Sequence, residues 1–186
     1  MKTTHMVRGA VSLLCMVFVL IFGLQTYSYA VSATDIKAGV DLSLKTLRNT
    51  EGVGDVIDKA KGLLVFPGVF KGAIGLGGEY GEGALREWGK SVGYYSIGAI
   101  SFGLSLGGEK KSIVIAFMTD DALKNFKEGS GWTIGGEGSL AVVTVGAGYE
   151  GSVATVNKPI MAFVFGEKGL MYDLSLNGSK VTKINR

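Results

Sequence analysis

The stretch LLVFPGVFKGAIGLGGEYGEG, residues 63 to 83, constrains the fold more than any other. It opens as a continuous apolar run, meets a proline, and then inserts glycine at nearly every second position. Side chains of a β-strand alternate between faces. Ile74, Leu76, Gly78 and Tyr80 therefore share one face, and Gly75, Gly77, Glu79 and Gly81 the other. The design returns at 100 to 107, where Ile100, Phe102, Leu104 and Leu106 oppose Ser101, Gly103, Ser105 and Gly107. A face stripped to glycine lets a helix, another backbone or a curved sheet press close, and glycine permits the bends that close a barrel.

The chain holds 30 glycines but only two prolines, Pro67 and Pro159. Average glycine usage is about 7%, and large aliphatic residues are plentiful here, so the glycines belong to packed structure and not to a disordered tract.

The first thirty residues read as a secretory leader: Lys2 and Arg8, an apolar run from Ala10 to Leu24, and small residues at Ser28 and Ala30 before a cleavage point. An uncleaved anchor is the alternative. Cys15 lies in mid-run and does not suit a lipoprotein acylation site. Removing the leader removes Cys15 and His5, the only cysteine and the only histidine. Disulfides, thiol nucleophiles, zinc sites built on those residues and imidazole bases go with them. Without Lys2 and Arg8 the charge is 17 basic against 16 acidic residues, so the sequence pI of about 8.9 gives no case for nucleic acid, which needs clustered cations.

From residue 31 the pattern predicts one domain. Ile36, Val40, Leu44 and Leu47 recur at helical spacing, with Thr34 as the cap and Lys37, Asp41, Lys45 and Arg48 on the opposite face. A short helical turn is expected over 55 to 60, a buried strand over 63 to 66 ended by Pro67-Gly68, and another over 112 to 118. Thr119 caps a helix running to Gly129. Strands follow over 133 to 145, 149 to 156 and 160 to 165, and Asn177-Gly178 suits a tight hairpin turn.

The chemical motifs fail on context. Gly146-Ala147-Gly148-Tyr149-Glu150-Gly151 fits a dinucleotide fingerprint but is followed by a strand pattern where a helix is needed. Gly89-Lys90-Ser91 lacks the earlier glycine of a phosphate loop, since Ala84 stands there. The recurring Glu79, Glu109 and Glu137 read as solvated strand ends in preference to an acid/base pair. Arg86, Trp88, Tyr94 and Tyr95 could line a groove, but aromatic residues at that density read as core and rim.

Several spaced motifs together resemble one family. Lys61 to Pro67, Gly75 to Gly83, Trp88, Phe102 to Gly108, Lys168 to Leu170 and Leu174 to Gly178 run in the order seen in the SYLF domain, over roughly residues 34 to 186. Two departures from the family pattern stand out: the segment after Trp88, Gly89-Lys90-Ser91-Val92, lacks the expected proline, and Asp173 stands where the last motif has glycine. The resemblance implies an α+β fold, with N-terminal helices packed on a glycine-rich, mainly antiparallel, strongly curved or barrel-like sheet. Pro67, Gly75, Gly77, Gly78, Gly81, Gly107 and Gly108 are its structural motif positions. It further implies lipid binding without catalysis or cofactor. Phosphoinositide binding and actin bundling are described for eukaryotic members; actin does not transfer to an exported chain, and what carries over is contact with anionic phospholipid head groups.

The expected function is therefore contact with anionic phospholipid at the periplasmic or envelope surface. Lys37, Lys45, Arg48, Lys61 and Lys71 are the candidate contacts. A small outer-membrane barrel and a glutamate-based hydrolase are the alternatives.

Overall fold

The computed structural model describes residues 31–129, 131–134, 140–144, 158–166, 176 and 178–186, with backbone alone at 73–76, 101–107, 109 and 143–144. The first element is helix α1, Ala33–Arg48, followed by the short α2, Gly54–Lys59. Ser32, not Thr34, caps α1: its hydroxyl accepts from the Asp35 N–H at 3.1 Å and donates to the Asp35 carboxylate at 2.6 Å. The helix starts ahead of Thr34 because the serine hydroxyl satisfies one of the free N–H donors of the first turn and is itself held by the Asp35 carboxylate.

Strand β1 then runs without interruption from Gly62 to Glu87, and β2 from Lys90 to Phe117. Pro67 does not end the strand. The pairing passes from Phe66 opposite Ile113 to Val69 opposite Lys111, so one extra residue bulges out where proline has no N–H to donate. The Ser112 hydroxyl donates to the Pro67 carbonyl at 2.9 Å and closes the irregularity. The stretches at 100 to 107 and 112 to 118, expected as separate strands, are one strand.

Helix α3, Asp120–Glu128, is capped by the Thr119 hydroxyl as its sequence predicts. Strands β3, Trp132–Thr133; β4, Leu140–Thr144; β5, Ile160–Gly166; and β6, Lys180–Ile184 complete the described sheet. Its order is β3-β6-β2-β5-β4, with β1 paired to β2. All pairs are antiparallel except β4 with β5. The fold is α+β, a strongly curved half-barrel with a few helices. The 149 to 156 stretch and the Gly146 to Gly151 motif lie outside the described residues, as does the first strand of the Asn177-Gly178 hairpin.

Two apolar clusters sandwich the sheet. Ile36, Val40, Leu44 and Leu47 of α1 meet Val65, Val114, Met161 and Phe163 on one face. Leu64, Phe66, Ile113, Ile115 and Phe117 meet Leu123 and Phe126 of α3 on the other. Segments 63–66, 113–117 and 160–164 are thus covered on both sides, which is why they read as unbroken apolar runs. Gly39 lets α1 settle on this layer: a Cβ there would stand 2.8 Å from the Pro67 ring.

The glycine face of β1 turns toward the second, concave cluster. A Cβ on Gly81 would lie 2.8 Å from the Gly68 carbonyl oxygen, and one on Gly83 would collide with the Val65 carbonyl. The strand coils so tightly that its second half rests on the backbone of its first. Glycine there serves close approach, as its alternation implies.

Candidate functional site

Strands β1 and β2 meet in a two-residue turn, Trp88-Gly89, with Glu87 paired to Lys90. Both turn residues have positive φ, 52° and 77°. That geometry is the type I′ hairpin turn, whose twist matches the flanking strands. It holds the Trp88 side chain 92% exposed, the most open large hydrophobic among the described residues.

Beside the turn lies a depression of about 340 Å³, lined by Arg48, Asp58, Lys59, Lys61, Arg86 and Trp88 among others. Arg86 organises this edge. Its side chain is buried, Nη1 donates to the Gly89 carbonyl at 2.9 Å, and Nη2 is ion-paired with Asp41 of α1. Arg86 Nε is buried with no partner among the described residues. One guanidinium therefore ties the hairpin tip to the first helix.

The five basic residues singled out from the sequence divide. Lys37, Asp41, Lys45 and Arg48 are spaced at i, i+4, i+8 and i+11 and form one stripe along α1. Arg48 donates to Asp58 of α2 at 2.8 Å, and Lys61 lies 3.7 Å from Asp120, both pairs well exposed. Exposed pairs of this kind contribute about 0–1 kcal/mol and open readily. Lys37 and Lys45 are exposed and, with Lys59 and Lys90, make no ion pair among the described residues. Lys71 lies apart on β1, opposite Glu109. Arg48 and Lys61 are thus brought together, Lys37 and Lys45 join them along the helix, and Lys71 does not.

Sequence reading set Arg86 and Trp88 aside as core and rim and did not join Lys59 to them as one surface. The available signal was a tryptophan followed by glycine between two strand patterns, which is a hairpin tip without the usual asparagine. Tyr95, by contrast, is core: it packs on Phe126 with ring centroids 5.0 Å apart, and burial pushes its hydroxyl above the usual tyrosine range.

The motif glycines also divide. Gly77 and Gly81 are buried, whereas Gly78 and Gly108 are exposed, and a Cβ on either would meet only ordinary contacts, at 3.5 and 3.9 Å. Gly75 falls at the second irregularity of the β1–β2 ladder, and Gly107 pairs with Ala73.

The glutamates correct the expectation of solvated strand ends. Glu79 sits in the middle of β1 with its side chain 7% exposed, 2.7 Å from the Nζ of Lys111, itself 1% exposed. The Ser179 hydroxyl donates to its other oxygen at 3.0 Å. Glu82, on the opposite face, accepts from Tyr80 at 2.8 Å and from Arg186 Nε at 2.9 Å, with a second bond from Arg186 Nη2. A carboxylate so engaged holds the C-terminal segment in place. The side chain of Glu109 and all of Glu137 lie outside the described residues.

A larger depression of about 620 Å³ lies between α3 and Trp132, but among the described residues Asp121 is the only charged one in its lining. Its described lining offers no cation to an anionic ligand.

Comparison with known proteins matches residues 98–186 to the family described as Ysc84, Las17-binding protein actin regulator. The chain is 30% identical over 130 residues to the SH3 domain-containing YSC84-like protein 1 of Pongo abelii. That alignment covers 67% of this chain and 37% of the relative, so the chain spans little more than a third of that protein's length. The order of motifs, the curved glycine-lined sheet and these matches agree: the chain belongs to the SYLF, or Ysc84, domain family.

Proposed function

We propose that this chain is a non-enzymatic, exported lipid-binding domain that contacts anionic phospholipid at the cell envelope. The observation that carries the reading is the basic edge: Lys37 and Lys45 on α1 run toward Arg48, Lys59 and Lys61 beside the hairpin tip. A basic side chain near an anionic bilayer contributes about 1 kcal/mol. The unpaired Lys37, Lys45 and Lys59 together are then worth about 3 kcal/mol, roughly a hundredfold in partitioning.

The leader read from residues 1 to 30 supports export, and the family supports a binding role without chemistry. The alternatives fit the geometry less well. A membrane-spanning barrel turns its outer face to lipid, whereas α1 and α2 cover one face of this sheet. A hydrolase built on Glu79 needs a free carboxylate, and this one is engaged by Lys111 and Ser179.

Vesicle flotation of residues 31–186 tests the reading. The domain is expected to float with vesicles of phosphatidylglycerol and phosphatidylcholine at low salt, to remain behind with phosphatidylcholine alone, and to detach as ionic strength rises. Indifference to lipid charge would discard the proposal.

A further inference from the structure

Trp88 is the residue that folding explains least. A side chain at positive φ is uncommon outside glycine, asparagine and aspartate, and for a bulky residue it is a true outlier. The first position of a type I′ turn favours asparagine before glycine, yet tryptophan stands there at φ 52°. Its ring covers nothing, being 92% exposed. The fold bears backbone strain and an exposed indole at one residue and receives no packing in return. Strain of this kind persists where surrounding contacts enforce it, and it clusters at ligand-contacting positions.

Those contacts are present. Arg86 holds the far side of the turn through the Gly89 carbonyl and is itself held by Asp41. The tip is therefore fixed relative to α1, and Arg86 is a positioning residue for it. The depression beside the indole carries Lys59, Lys61 and Arg48, with Asp58 paired to Arg48 and Asp120 to Lys61, and Lys90 follows on the outgoing strand. Val92, two positions further, is also exposed. An amphipathic ring projecting from a rigid tip, beside a depression where cations outnumber carboxylates, matches the chemistry of a bilayer interface: indole resides at headgroup level, and the cations meet phosphate.

We infer that the β1–β2 tip is a membrane-anchoring device in which Trp88 enters the headgroup layer of an anionic bilayer while the adjoining depression receives a lipid phosphate. This rests on the lipid-binding reading above and assigns its point of entry. The expected occupant is a phospholipid surface, since a soluble phosphate would leave the exposed indole without a partner.

Trp88→Asn separates the two roles of this residue, because it converts the turn to the preferred Asn-Gly pair. Residues 31–186, the chain without its leader and a compact unit by itself, and the same segment carrying Trp88→Asn are compared on vesicles of brominated phosphatidylglycerol with phosphatidylcholine, and on brominated phosphatidylcholine alone. The wild-type minus variant fluorescence isolates Trp88 from Trp132. Bromine is expected to quench that difference signal on the anionic vesicles and not on the neutral ones. Anionic flotation of the variant is expected to fall about tenfold, the loss of part of one aromatic burial, while its Tm rises by about 2–4 °C. The double change Lys59→Gln, Lys90→Gln is expected to reduce flotation and quenching together. If wild type binds anionic vesicles but Trp88 is unquenched and Trp88→Asn floats equally well, the tip is not the anchor and the lipid-binding reading stands. If wild type shows no dependence on lipid charge, both fall.

Discussion

The two halves of β1 solve burial in opposite ways. From Leu63 to Phe66 every position carries a large apolar side chain, and alternate residues fill the cluster beneath α1 and the cluster beneath α3. From Gly77 to Gly83 the strand is equally enclosed on its concave side but contributes almost no side-chain volume there: Gly81 and Gly83 lie on the backbone of the first half, and Glu79 is engaged by Lys111. One half is buried by filling space and the other by leaving none to fill. A sheet that coils onto itself needs both, since bulk on both apposed segments would push them apart and open the curve.

The sharpest way to break this contrast is to give the emptied half a side chain. Gly83→Val places a branched carbon where the Val65 carbonyl stands, and backbone cannot move aside as a flexible side chain does. The expected cost exceeds about 4 kcal/mol, in the range of severe overpacking coupled to backbone displacement. Unfolding of the purified variant by urea checks it. A valine tolerated with a loss below about 1 kcal/mol would mean that the two halves do not rest on each other.

The second test concerns the charge placed where bulk is missing. Glu79→Gln leaves the Lys111 ammonium buried without its counter-charge, at an expected cost of about 3 kcal/mol. Combining it with Lys111→Met removes the stranded charge and is expected to recover most of that loss. The double variant, measured beside both single ones, distinguishes a pair that fills the concave space from one that merely sits in it. Equal stability of Glu79→Gln and wild type would place Lys111 in contact with water after all.

Much of the filled half is legible in the sequence, because a strand covered on both faces leaves a run such as Leu63-Leu64-Val65-Phe66 that local pattern reveals. The helices are equally plain: α1 from its apolar stripe and α3 from Thr119 and Gly129. The emptied half is legible only in kind. Alternating glycine announces close approach, but what approaches is the same strand folded back, a matter of curvature and not of local pattern. Glu79 reads as a surface acid because its partners come from elsewhere, Lys111 on β2 and Ser179 one hundred residues away. The candidate site divides similarly. Its helix cations appear in the α1 periodicity, whereas Trp88 and Arg86 join them only through register, with Glu87 opposite Lys90 and the guanidinium reaching across to Asp41.

The smallest expected effect concerns the second carboxylate of the emptied half, Glu82, and what holds it. Burial pulls the Glu82 carboxyl upward, but the hydrogen bonds from Arg186 and Tyr80 outweigh it and leave the group below the ordinary glutamate value. A pKa depressed by folding means that the unfolded chain takes up protons more readily in mild acid. The contribution of Glu82 is then fully present above its unfolded value, about 4.3, and is lost as pH falls through the folded value. Tyr80 bears the opposite sign: burial, then Glu82, raises its hydroxyl, so its contribution holds below the unfolded tyrosine value and fades as pH rises through the folded one. Thermal unfolding of wild type and Glu82→Gln between about pH 7 and pH 3 reads the first of these. The wild-type advantage is expected to be largest at neutral pH and to close below about pH 4. An advantage unchanged down to about pH 3 would mean that Arg186 does not hold Glu82 as an anion, and that the chain end is fastened to β1 by packing alone.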